Sequence, residues 1–370
     1  MKISFPYMES PVVYYKIFEM LGHEVVAPPR PTQKTFKLGV KYAPEFACFP
    51  LKVTLGNMIE LHEMGVDTIF ISGGYGPCRA GYYGPLQEKL LNYIGLDMDV
   101  IIFEQVRGGW KDFLNNVRLL KQNASIYRLI KSVYTGYKIS VSMDGILKLI
   151  HKRRPYARNK RRISELWDEI QQEYLKVKSS RDIERVESRA RERIENQEYD
   201  FPPENERLRV GIVGEIYVVM EGSTNNYIEE MLNEMGVEVE RSHYLSEYIE
   251  SHMIPWKKKE YQHILDKGEK YLEIIIGGHA KRSIGHIVDY KERGFDGAVH
   301  LKPFGCLPEI ISQSMLDRVS QDLNIPILPF SIDEQLGKAH TRTRLEAFLD
   351  LVRGRKEERV SNNQKDVPGH

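Results

Sequence analysis

Short apolar runs alternate with amphipathic stretches along most of the chain, and that alternation predicts its elements. Ile3-Ser4-Phe5, Glu24 to Ala27, Val66 to Ser72 and Val100 to Phe103 read as strands. Val12 to Leu21, Leu51 to Met64 and Leu86 to Ile94 read as helices. In the second of these, Leu51, Leu55, Met58, Ile59 and His62 share one face, and Gly22 and Gly65 stand where helix C-caps belong. The same grammar returns from residue 208. Strands are expected at Leu208 to Val213, Val237 to Val239, Tyr271 to Ile276, Gly297 to Leu301 and Pro326 to Phe330. Helices are expected at Asn226 to Met235, Ile284 to Arg293, Glu309 to Leu323 and Thr341 to Val352. Strands separated by helices need crossover connections, so both stretches predict βαβ units and parallel sheets.

Between them, from Trp110 to Gln197, the strand signal disappears. Ile163, Leu166, Ile170, Tyr174 and Val177, then Ile183, Val186 and Ile194, mark amphipathic helices, with Ser179-Ser180 as caps. Residues 151–162, HKRRPYARNKRR, carry seven basic side chains in twelve positions. Such a run is either a solvated helical face or a docking arm for an acidic partner protein. The expected fold is α/β: two Rossmann-like parallel-sheet domains, residues 1–109 and 201–353, face one another across a cleft. A charged helical insertion, 110–200, separates them, and a polar, flexible tail, 354–370, follows.

Composition narrows the class. The chain has 370 residues, 41% hydrophobic and 28% charged, which is ordinary for a globular protein with a substantial core. A net charge of +1 argues against a globally basic nucleic-acid binder. No run approaches the roughly 20 apolar residues of a membrane span. Met1 to Pro6 enters a strand without the apolar core of a signal peptide, so a cytoplasmic location is expected. Three cysteines cannot all pair internally, and their ordinary reading is buried thiols packed as small hydrophobes.

The loop from Ile71 to Pro85, ISGGYGPCRAGYYGP, follows a predicted strand and is rich in glycine, as phosphate-binding loops are. It fits neither nucleotide fingerprint. Arg79 occupies the third glycine position of G-x-G-x-x-G, and Tyr82 stands where a P-loop needs lysine. Gly73, Gly74 and Gly76 instead let the chain turn sharply off the strand and present Cys78. Cys48, in FACFPLK, and Cys306, in KPFGCLPEI, each precede a helix and have proline two positions later. All three cysteines therefore fall on the sheet edge where α/β proteins bind ligands. Helix N-termini there favour a thiolate, or an anionic thiolate-bound cluster. Gaps of 30 and 228 residues exclude a local zinc knuckle but allow a site between domains. Three thiolates on a four-iron cubane would leave one iron without a protein ligand.

At these residues the chain resembles the superfamily of 2-hydroxyacyl-CoA dehydratases, benzoyl-CoA reductases and double-cubane cluster proteins, and more closely the regions associated with CoA-enzyme activases. The resemblance rests on CFPLK, GVDTIFISGGYGPCRAGYYG, GEIYV with Asn225-Asn226, HLKPFGCLPEI and SIDEQ followed by TRTRLEAF, which lie in both α/β units and not in the insertion. It implies a [4Fe-4S] cluster bound through Cys48, Cys78 and Cys306. An [8Fe-9S] double cubane needs six thiolates and so would be shared with a homo- or hetero-dimer partner. The resemblance also implies a separate ATP-hydrolysing iron–sulfur activator as electron donor, and a small-molecule substrate, an acyl-CoA among the candidates. Glu215, His279 and Asp333 are candidates for moving a proton, each with an ordinary alternative as a capping or loop residue. Arg342 and Arg344 either hold phosphates or pair with acidic neighbours. Two rival functions stand beside a dehydratase or reductase component: a cluster carrier without catalysis, and a cluster-free two-domain binding protein.

Overall fold

The computed structural model describes residues 1–73, 78–103, 110–253 and 257–365. The first unit runs β1 (Lys2–Ser4), α1 (Val12–Leu21), β2 (Glu24–Val25), α2 (Gln33–Tyr42), α3 (Phe49–Glu63), β3 (Thr68–Ser72), α4 (Tyr83–Tyr93) and β4 (Asp99–Phe103). The helical segment comprises α5 (Trp110–Lys121), α6 (Ile126–Arg153), α7 (Lys160–Tyr174) and α8 (Ser180–Glu195). The second unit opens with β5 (Leu208–Gly214), α9 (Ile216–Met220), α10 (Ile228–Glu234), β6 (Val237–Arg241), α11 (Leu245–Met253) and α12 (Lys258–Lys267). It closes with α13 (Ala280–Glu292), β7 (Gly297–Pro303), α14 (Leu307–Leu323), β8 (Ile327–Ile332) and α15 (Lys338–Lys365). Both sheets are four-stranded and parallel throughout, ordered β2-β1-β3-β4 and β6-β5-β7-β8. The two orders are the same path through space, so the α/β architecture repeats although the sequence does not.

The units are joined by a shared core. Phe36 of α2 and Phe49 and Val53 of α3 belong to the same buried cluster as Val210, Ile212, Val299, Leu301 and Phe330 of the second sheet. Helix α3 is buried along almost its whole length, which explains its weak amphipathicity. Helices α2 and α3 cross at glycine: a Cβ on Gly39 would meet the Lys52 carbonyl oxygen at 1.8 Å, and one on Gly56 would meet that of Thr35 at 2.0 Å. Backbone cannot yield as a side-chain tip can. Gly39→Ala and Gly56→Ala are each expected to destabilise the fold by on the order of 3 kcal/mol, read as a lower denaturant midpoint.

The insertion has its own core, in which Ile146 and Ile150 of α6, Ile163, Ile170 and Tyr174 of α7 and Val186 and Ile194 of α8 pack onto Val12 and Val13 of α1. Ser179 caps α8, as its sequence predicts. The basic run is divided: Arg154 is buried, whereas Lys152, Arg158 and Arg161 are exposed. Arg154 donates to Asn233 Oδ1 at 2.8 Å, Lys160 to the Glu234 carbonyl at 2.9 Å, and Arg158 pairs with Asp200 at 3.0 Å. Lys160 thus serves the exposed carbonyls at the end of α10, so Arg154 and Lys160 staple the insertion to the second unit, while Arg158, Arg161 and Arg162 pair within the insertion.

Two expectations are corrected. Tyr271 to Ile276 is not a strand: Tyr271 and Leu272 are buried as anchors under α13, while Ile274 and Ile275 are exposed. The run shows no alternation because it is a connector. The tail expected to fray from 354 continues as α15 to Lys365, held by buried Val352 and by Lys356 Nζ on Asp296 at 3.1 Å. Helices α2, α11 and α12 were not read from sequence, although Thr32 and Thr35 form a capping box at the start of α2. No helix among the described residues is long and apolar enough to cross a membrane.

Candidate functional site

Each sheet reverses its strand order between its first and third strands, and such points are where open α/β sheets leave a crevice at the strand C-termini. The two crevices open on one cavity of ≈ 250 Å³. Phe5, Phe70 and Gly73 line it from the first unit, Glu215, Ile216 and His279 from the second. Cys78 lines it from the first unit and Cys306 from the second. Cys48 lies one layer back, hydrogen-bonded to the hydroxyl of Tyr83, which lines the wall.

All three cysteines occupy N-cap positions: Cys48 of α3, Cys306 of α14 and Cys78 of the single helical turn that leads into α4. Pro50 and Pro308 follow within the first turn, where a missing N–H is harmless. The neighbouring backbone N–H groups of Ala80 and Glu309 act to lower the Cys78 and Cys306 thiols, but neither sulfur makes a capping hydrogen bond. The expectation that these helix starts favour thiolates is nevertheless corrected for the metal-free protein. Burial pushes all three thiols up, and Glu215 adds to the rise at each. The sulfurs also oppose one another's ionisation, Cys48 with Cys78 and Cys306 with Cys48.

Two features bind the cysteine segments into one body. The Arg79 guanidinium donates to the Phe46 carbonyl at 2.9 Å and to the Gly305 carbonyl, so it ties the loop before Cys48 to the residue before Cys306. Gly278, with φ +55°, lies so close that a Cβ would meet Pro308 at 2.9 Å and the Cys78 sulfur at 3.9 Å. Among the described residues no three His, Cys, Asp or Glu side chains are grouped as a single metal ion requires. A polynuclear cluster takes its thiolates at separate corners. The donor set suits such a group: three partly or fully buried sulfurs on three backbone elements, with helix starts and the Arg79 guanidinium as nearby positive charge.

Acid–base groups surround the sulfurs. Glu215 caps α9 through the Val218 N–H at 3.1 Å, and burial pushes its carboxyl up to about 7. A raised carboxyl stabilises the fold fully below about pH 4.5, and that contribution is lost as pH rises through about 7. Glu215→Gln should therefore leave metal-free protein little changed at pH 5 and stabilise it by up to about 3 kcal/mol at pH 8, less where pocket solvent reaches the carboxylate. Parallel urea titrations at the two pH values check this. His279 starts α13 and stacks edge-on against His243, ring centroids 4.4 Å apart. His243 is bonded to the Gly214 carbonyl at 2.9 Å, and burial holds it neutral. Behind Cys306, Glu309 meets His300 at 2.8 Å and Ser312 at 2.8 Å, and these contacts hold its carboxyl low.

The remaining sequence candidates lie elsewhere. Asp333 does not line the cavity; its Oδ1 accepts from the Gln335 N–H in the turn after β8. Arg342 pairs with Glu346 at 3.1 Å, and Arg344 donates to the Pro329 carbonyl at 2.7 Å while covering Phe330. Gly74 and Gly76 fall outside the described residues. Arg79, Tyr83, Glu309 and His300 were not singled out from sequence; the one available signal was a cation directly after Cys78.

Comparison with known families adds one finding. The model of the CoA enzyme activase uncharacterised domain matches residues 2–72, from β1 through β3 and including Cys48. No curated protein matches the chain. Over its first segment, then, the chain is similar to a domain associated with CoA enzyme activases.

Proposed function

We propose that Cys48, Cys78 and Cys306 hold a [4Fe-4S] cluster at the joint of the two α/β units, and that the chain accepts low-potential electrons there from an ATP-hydrolysing iron–sulfur activator. The observation that carries this reading is the placement of all three thiols on helix starts, Cys78 and Cys306 on one inter-unit cavity and Cys48 behind its wall at Tyr83. Similarity of residues 2–72 to an activase-associated domain supports the choice of electron donor. When bound, such a cluster supplies one-electron chemistry and, with three protein thiolates, one iron open to a further ligand. A double cubane would need thiolates from a second subunit.

The chain's own residues have separable roles in this reading. Tyr83, kept protonated by burial, donates to a Cys48 thiolate, and Arg79 fixes the spacing of the cysteine loops. Glu215, with a carboxyl near 7, can hold or release a proton at the cavity wall, and His279 is a second such group. Apolar walls exclude water. The cavity measures ≈ 250 Å³ and has no Lys or Arg among its described lining residues, so it suits a small acyl-sized group and not the phosphates of CoA. A substrate-sized cavity also favours a catalytic component over a simple carrier.

Anaerobic reconstitution with ferrous iron and sulfide tests the cluster. About four irons and four sulfides per chain, with a broad visible absorption, are expected; a colourless, iron-free chain would overturn the proposal. Activator, ATP and a panel of acyl-CoA thioesters then test catalysis. Electron uptake with no product would assign the chain to electron transfer alone.

A further inference from the structure

Most of the basic run is neutralised internally, but Lys152 and Arg153 are not. With Arg207 and Arg209 they line a second cavity, of ≈ 430 Å³, at the amino-terminal end of β5. None of these four cations makes an ion pair among the described residues. Aromatic rings hold the guanidinium groups instead. Arg153 lies over Tyr199 at 5.7 Å and Phe201 at 5.1 Å, Arg207 over Tyr156 at 5.6 Å and Phe201 at 5.2 Å, and Arg209 over Phe295 at 4.1 Å. Arg207 Nε and Arg209 Nη1 donate to the carbonyls of Pro202 at 3.0 Å and Arg293 at 3.1 Å, which fixes their planes. Stacking orients a guanidinium without consuming its N–H groups. Neighbouring Arg158 and Arg162, by contrast, spend theirs on Asp200, Glu198 and Glu169.

We propose that this cavity binds a phosphate-bearing small molecule of nucleotide size. Four cations face two carboxylates in this cavity and form an ion pair with neither, so the wall is net positive, and an anion placed among the cations relieves their repulsion. Pre-oriented guanidinium forks match phosphate oxygens two at a time. Two carboxylates on the same wall, Glu204 and Glu238, distinguish a nucleotide from a bare phosphate. Glu238 already accepts from the Tyr156 hydroxyl at 3.1 Å, and Glu204 is open to accept from ribose hydroxyls or a base amine. The ligand is not one that also reaches the cysteines. The full length of β5, Leu208 to Gly214, separates the two cavities, about 20 Å at roughly 3.3 Å per residue.

Calorimetry on the full chain with inorganic phosphate, pyrophosphate, AMP, ADP and an octaglutamate peptide tests the assignment. ADP is expected to bind at sub-millimolar affinity and at least about tenfold more tightly than inorganic phosphate, raising the melting temperature. Arg153→Ala, Arg207→Ala and the surface variant Lys152→Glu should each weaken ADP about tenfold or more, whereas Cys306→Ser should not. Lys152→Glu covers the case in which loss of an arginine stack disturbs folding. No ADP binding at about 1 mM would overturn the proposal. So would octaglutamate binding in its place, which would make the cavity a docking point for an acidic protein segment.

Discussion

Serine at Cys48, Cys78 or Cys306 is expected to abolish a stable cluster, each substitution alone leaving the fold intact. Loss of a residue that merely supports a metal ligand costs about 10- to 100-fold in affinity; loss of a thiolate ligand should exceed that. The supporting class has its own members. Tyr83→Phe removes the hydrogen bond to Cys48, and Arg79→Ala unties Phe46 from Gly305, so both should retain a cluster that is lost faster to chelators. Cys48 sits behind Tyr83 and not on the cavity wall, so its variant discriminates most sharply. If Cys48→Ser keeps a full complement of iron and sulfide, Cys48 is a packed thiol and the three-cysteine site is wrong. Because burial raises all three thiols, each must shed a proton to bind iron. Assembly should therefore become more favourable as pH rises from 7 towards 9, whereas thiols already ionised would give no such dependence.

Local signals carried most of the architecture. Proline two positions after Cys48 and Cys306 was enough to place both on helix starts, because proline's fixed φ and missing N–H suit only the first turn. Gly65 ended α3 because a left-handed residue stops a helix without strain. Contacts between distant segments were not legible. Nothing near Arg79 announces that its guanidinium will span the loops before Cys48 and Cys306, 33 and 226 residues away. The same limit misassigned Tyr271 to Ile276. An apolar run of six residues looks alike whether it joins a sheet or anchors a connector. Asp333 lies off the cavity for a related reason: which residues of a sheet edge line a cavity depends on how the two units are set against each other.

That setting rests on a buried charge network, and its disruption gives the second large effect. Arg241, at the end of β6, is 3% exposed and lies between two carboxylates from different parts of the chain. It bonds Glu9 of the first unit and lies 3.6 Å from Glu229 of α10, which in turn meets His151 of the insertion at 3.1 Å. Nearby, the Glu9 N–H donates to Glu221 at 2.7 Å and the Tyr217 hydroxyl to the Tyr7 carbonyl at 2.8 Å. Arg241→Met keeps much of the apolar stem but leaves Glu229 buried with too little positive charge, while Glu9, which burial already raises to about 7, takes up a proton. Breaking a buried pair in this way costs about 3–5 kcal/mol, more than the intact pair contributes over an apolar replacement. Burial alone would push Glu229 up, yet His151 and Arg241 hold it at about 2. Its stabilising contribution is present above the ordinary carboxyl range and is lost as pH falls towards 2. The penalty of Arg241→Met should thus be largest near pH 7 and shrink towards pH 4, where the stranded Glu229 carboxylate takes up a proton. Adding Glu229→Gln should restore part of the loss at pH 7, and urea titrations of both variants measure it. A variant as stable as the parent at pH 7 would mean that the units are held by their shared apolar core alone. If the network does set them, Arg241→Met should also lower cluster retention, since Cys306 and Glu215 would lose their register with Cys48 and Cys78.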